Sequence, residues 1–189
     1  MNVKKIFKMP KQVNIAGRTS SITNAFVNGI IPQIEPTEYE LNKCLKILEL
    51  NKDDLRCVYC NEKVTEWDHL RPIVKNKQPT GYISDIYNLV PSCGKCNQSK
   101  GNKYWRDWIK SDAPQSPKSK KIKDLDKRIQ RLEEYEEWGN VKPINFETIV
   151  SKELWEIHWD NHKKLCEMMQ NSKHHADKLK EEIYRKLEL

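Results

Sequence analysis

The sequence predicts an α+β fold in which a small cysteine-centred module is embedded between helical segments and a long C-terminal helical hairpin closes the chain. Three observations carry this reading. Two Cys-x-x-Cys pairs, "CVYC" at 57–60 and "CGKC" at 93–96, bracket a 32-residue stretch that contains "WDHLRP". Apolar residues recur at helical spacing before that stretch and over two long runs after it. Only 37% of the 189 residues are apolar, so the core must be modest and much helix surface solvated.

Taken in order, residues 1–56 read as a basic N-terminal arm plus a helix, an element for partner recognition or dimerisation. The arm, 1–36, has five Lys or Arg against one Glu, with Pro10, Gly17, Gly29, Pro32 and Pro36 between short β-branched runs, which predicts one or two short strands or loops. Thr37 followed by Glu40 is a capping box, and Leu41, Leu45, Ile47 and Leu48 give the apolar face of a helix over about 38–50. Residues 57–110 hold the paired cysteines and three of the six tryptophans and form the central module. "SDAPQSPKSKK" at 111–121 has the composition of an exposed linker. Residues 122–189 form a C-terminal helical region for dimerisation or recognition. Ile122, Leu125, Ile129, Leu132 and Tyr135 predict one helix, and a second runs from about 151 to 188 after a break at Gly139–Asn145. Two successive long helices predict an antiparallel hairpin. His158 and His162 lie four apart in the second helix, and we read them as ordinary helix residues rather than a metal pair.

The formal net charge of +7 favours an anionic partner, nucleic acid first. No run of about 18 apolar residues exists and the N-terminus lacks the apolar core of a signal peptide, so the expectation is a cytoplasmic protein with no membrane partner. Six cysteines without an export signal argue against a disulfide framework; Cys44 and Cys166 fall within helical patterns as small hydrophobes.

The two-residue spacer lets both thiolates of a turn converge on one ion, and two such turns supply the four sulfur ligands of a structural Zn²⁺ at Cys57, Cys60, Cys93 and Cys96. A redox pair would explain either half but leave the other half idle. If the four cysteines fill the tetrahedron, His69 is not a ligand of that zinc, and the metal instead clamps the base of the 61–92 loop.

Read together, "CVYC", "EWDHLRP" and "YNLVPSCGKCNQSKG" resemble the HNH nucleases, the zinc-clamped ββα-metal group, over about a quarter of the chain. The resemblance implies strands at Val64–Leu70 and Leu89–Ser92 and a helix from Asn97 to about Lys110. It also implies an endonuclease in which His69 is the general base, Asp68 and Asn97 hold one Mg²⁺ or Mn²⁺, and Asn88 braces the loop after His69. Asparagine at position 97 stands where the name-giving pattern has histidine. Lys95, Lys100, Lys103, Arg106 and Arg71 are the expected DNA contacts, since ten basic residues against four acidic ones lie between Lys100 and Arg128. Stand-alone length and the absence of an ATPase motif favour a type II restriction enzyme that cuts double-stranded DNA as a homodimer. The alternatives are a phage or mobile-element nicking or homing endonuclease, and a zinc-stabilised DNA-binding module that has lost cleavage.

Overall fold

The computed structural model of the chain describes residues 9–188, which divide into two units. The larger is Val27–Ile149; the other joins the residues up to Phe26 with those from Val150 onward.

In the larger unit, helix α2 (Glu38–Ile47) starts at the capping box: the Glu40 amide donates to Thr37 Oγ1 at 3.2 Å and the Thr37 amide to Glu40 Oε2 at 2.8 Å. Strands β1 (Glu66–His69) and β4 (Leu89–Ser92) pair antiparallel, with Asp68 opposite Val90 and His69 opposite Leu89. Between them a second ladder, β2 (Val74–Lys75) with β3 (Gln78–Pro79), turns at Asn76 and Lys77, both at positive φ (52° and 64°). Helix α3 (Gly94–Lys100) starts three residues before the expected Asn97 and stops at Gly101, whose φ of 53° and ψ of −128° end the helical path. The chain restarts as α4 (Trp105–Ile109), so the single helix expected to Lys110 is two, and the break lets Trp105 and Trp108 both bury completely.

Helix α5 (Leu125–Gly139) packs on α2 and closes the core with Ile129, Leu132 and Tyr135. Arg128 donates to the Val58 carbonyl at 3.0 Å, tying α5 to the first cysteine turn. Tyr135 Oη donates to the Leu89 carbonyl at 2.7 Å and lies against that of Ile86, tying the same helix to the start of β4. Beyond α5 the chain crosses Gly81, where a Cβ would lie 2.3 Å from the Ile144 carbonyl oxygen, and reaches α6 (Phe146–Ile149).

Residues 111–121 are not an exposed linker. Ser116 is fully buried with its hydroxyl donating to the Ser111 carbonyl at 2.6 Å, and the Cys96 thiol points to the Gln115 carbonyl at 3.9 Å. Composition marked the turns correctly, but the turns wrap the cysteine cluster.

In the smaller unit residues 9–14 of the arm are loop, as expected, but from residue 15 the arm is helical rather than strand or loop; residues 1–8 of the expected arm lie outside the described residues. Asn14 caps a 3-10 turn (Ile15–Arg18) that runs into α1 (Thr19–Asn28), which continues into the larger unit. Local propensity is overridden by contacts with α7 (Lys152–Lys186): Thr23 Oγ1 meets His162 Nε2 at 3.0 Å, and His158 Nε2 meets the Phe26 carbonyl at 3.1 Å. The expected hairpin is therefore two helices in different units, α5 packed on α2 and α7 on the 3-10 turn. Among the described residues no helix is long and apolar enough to cross a membrane.

Replacing Tyr135 by Phe removes the one donor that two carbonyls share in a dry core. The unit should lose about 1–3 kcal/mol in urea denaturation; an unchanged midpoint would contradict the tie between α5 and β4.

Candidate active site

The Cys57–Cys60 turn precedes β1, and Cys93 and Cys96 sit at the start of α3. β-Pairing of Glu66 with Ser92 brings the two turns together. All four sulfur atoms lie within 4.8 Å of one another and all four residues are buried, an arrangement that could hold one metal ion. The Lys120 ammonium lies beside this cluster; burial lowers its pKa, but the charge of the Cys60 and Cys96 thiolates outweighs that and raises it.

Alternation along β1 puts Glu66 and Asp68 on one face and aims His69 to the other. The first face meets α3 in two rungs. Asn97 Nδ2 donates to Glu66 Oε2 at 2.8 Å. Lys100 Nζ donates to Asp68 Oδ1 at 3.1 Å and to the His69 carbonyl at 2.7 Å, while Tyr59 Oη donates to Asp68 Oδ2 at 2.8 Å. Asp68 is only 3% exposed and Lys100 is fully buried. Burial pushes the Asp68 carboxyl above its ordinary range and the Lys100 ammonium below its own, and their attraction opposes both shifts. The structure thus brings Asn97 to Glu66 and leaves Asp68 to Lys100 and Tyr59.

On the other face, His69 Nε2 lies 2.7 Å from Ser84 Oγ. Burial first, and the Lys100 charge second, push its imidazole down to about 4, so it is neutral at pH 7. Asn88, fully buried, accepts from the Arg71 amide at 2.8 Å and donates to the carbonyls of Arg71 at 3.1 Å and Ile83 at 3.2 Å, which fixes the loop after His69.

Three of the five cations expected on DNA are built into the unit. Lys100 holds Asp68. Arg71, 6% exposed, donates to the Glu136 carbonyl at 3.2 Å and pairs with its carboxylate at 3.3 Å. Arg106 pairs with Glu133 and, at 2.9 Å, with Glu136, which also accepts from Tyr104 at 2.7 Å. Only Lys95 and Lys103 of the five are exposed. Sequence reasoning missed Tyr59, Glu66 and Ser84. Of these, Glu66 was within reach, because a residue two before Asp68 on a strand shares its face.

Lys100→Met leaves Asp68 buried without its counter-charge and should cost about 3–5 kcal/mol in chemical denaturation. A phosphate contact would instead leave stability intact and flatten the salt dependence of DNA binding; that result would return Lys100 to the surface role.

Residues 57–103 match the family model described as HNH endonuclease. Over 66 residues, 33% of this chain, the sequence is 33% identical to the CRISPR-associated endonuclease Cas9 of Corynebacterium diphtheriae, and the match spans 6% of that protein. No solved structure matches the chain. The family match begins at the first clustered cysteine, takes in the β1–β4 ladder and α3, and ends just past Gly101: residues 57–103 are an HNH endonuclease domain.

Proposed function

We propose that this protein is a metal-dependent DNA endonuclease that hydrolyses phosphodiester bonds, with His69 as its general base. The observation that supports this most is the neutral His69 imidazole, fixed by Ser84 on one side of β1 while the other side presents acidic oxygens to α3.

We assign the tautomer in which Nε2–H donates to Ser84 Oγ, 2.7 Å away; Nδ1 is then the bare nitrogen that takes the proton of an attacking water. Lys100 holds the backbone of that histidine and Asn88 holds the loop beyond it, so the base need not be ordered when substrate arrives. Asp68 and Asn97 are the oxygen donors we assign to Mg²⁺ or Mn²⁺. Hard oxygen ligands suit such an ion, and each Asp68 oxygen keeps a second lone pair beyond its bonds to Lys100 and Tyr59. When bound, the ion neutralises charge on the phosphate and on the departing 3′ oxygen. Zn²⁺ on the four cysteines would be closed and structural. Lys95 and Lys103, exposed on either side of Asn97, are the phosphate contacts of this reading.

His69→Ala should slow Mg²⁺-dependent cleavage of supercoiled plasmid by about 10²–10⁴-fold while helix content and bound zinc stay at the parent level. Equal cleavage rates would remove His69 from the mechanism.

We assign the enzyme to restriction-type cutting of both strands by a homodimer. The support is α7, which buries no residue. Leu154, Ile157, Met168, Leu179 and Ile183 are each about half exposed or more, at 66%, 49%, 65%, 63% and 56%. Its first turns carry Glu153, Glu156 and Asp160. Its last turns carry Lys178, Lys180, Arg185 and Lys186 around Glu181 and Glu182, so antiparallel pairing of two copies sets unlike charges together. Light scattering should give a dimer that Leu179→Asp converts to monomer, and end sequencing of plasmid products should give one symmetric site. A monomeric parent, or nicks at an asymmetric site, would favour the nicking endonuclease instead.

A further inference from the structure

We infer that Glu66 is a positioning residue for Asn97: its carboxylate holds the side-chain amide so that Oδ1, the only Asn97 side-chain atom a cation can use, stays free. The inference rests on the reading of Asn97 as a metal ligand.

An asparagine amide has two nearly isosteric ends, an oxygen that accepts and a nitrogen that donates, and rotation about its last torsion exchanges them at little cost. An ionised carboxylate can only accept. With Glu66 Oε2 placed 2.8 Å from the amide, the nitrogen must face it, because the opposite orientation would set oxygen against oxygen. Among the described residues, no donor is directed at Oδ1. The choice that solution would leave open is therefore made by a strand residue before any ion binds.

Two features keep Glu66 in place for this. Gly94 faces it across the first turn of α3, and a Cβ there would lie 2.6 Å from Glu66 Oε1, so the glycine lets the carboxylate take this position where a larger residue would make it shift. The neighbouring rung, Asp68 with Lys100, fixes the register of β1 against α3, since the two acceptors are two apart on the strand and the two donors three apart on the helix. Outer-sphere partners of this kind orient a ligand without touching the metal.

The test is Mn²⁺ titration of the full chain, zinc retained, followed by the loss of the free-ion EPR signal, with plasmid cleavage measured beside it. Glu66→Ala should weaken Mn²⁺ binding by about 10–100-fold and slow cleavage at fixed metal. Glu66→Gln can turn its nitrogen toward Oδ1 as readily as its oxygen toward Nδ2, so it should recover only part of the lost affinity. If the Gln variant binds Mn²⁺ as tightly as the parent, an acceptor that cannot also donate is not what orients Asn97 and positioning is overturned; parental affinity in the Ala variant overturns it as well. Asn97→Ala separates the two claims. Lost affinity there with unaffected Glu66 variants sinks only the positioning role, whereas unchanged affinity in Asn97→Ala sinks the ligand assignment and the inference built on it.

Discussion

One buried ammonium organises the site. Lys100 Nζ, out of solvent, donates to the Asp68 carboxylate, the His69 carbonyl and, at 3.4 Å, the Gly101 carbonyl. A charge in that position is costly unless every donor is used, so α3 has little freedom to slide along β1. Its consequences spread in both directions. Asp68 is drawn inward, which by alternation sends His69 to the face where Ser84 waits. Gly101, the next residue, turns the chain out of the helix so that Trp105 and Trp108 can return to the core, where Tyr59 stacks edge-on to Trp108 with ring centroids 5.0 Å apart.

That pair needs a scaffold stronger than the sheet that carries it. Two strands of four residues each do not make a stable sheet in water. Support comes from opposite ends: the sulfur cluster closes the base of the ladder, and α5 covers the rest. Among the bonds that join α5 to the module are Arg128 to the Val58 carbonyl, Tyr135 to the Leu89 carbonyl, and the Arg71 side chain to Glu136. The first two reach backbone carbonyls of the module and the third holds the side chain two residues after His69, so α5 constrains the chain there as well as burying apolar area.

Features encoded over a few residues were legible in the sequence. The cysteine spacing, the capping box at Thr37 and Glu40, the limits of β4 and the start of α7 each depend on neighbours in the chain, and each stands where the pattern put it. What escaped depends on residues far apart. Arg71 and Arg106 read as surface cations because their shared partner, Glu136, lies 65 and 30 positions away. The Pro-Ser-Lys stretch read as a linker because composition cannot say what a turn wraps. Helix α1, rich in Ser, Thr and Asn, carries little signal of its own and owes its form to His158 and His162, more than 130 residues on.

The charge of the chain changes meaning once these partners are placed. Of the ten basic residues between Lys100 and Arg128, Lys100, Arg106 and Arg128 face internal carboxylates, Lys118 pairs with Asp112 at 2.9 Å, and Lys120 lies against the thiolates. The exposed remainder is Lys103, Lys110, Lys121, Lys123 and Lys127. These five lie in the turn after α3, at the end of α4, on the turns that lead to α5 and in the first turn of α5. A turn packed on the cysteine cluster holds its cations at fixed positions, where a true linker would let them average over many. Net charge alone therefore overstates the free basic surface: half of these ten cations have an anionic partner within the chain, and of the exposed remainder only Lys121 falls within 111–121.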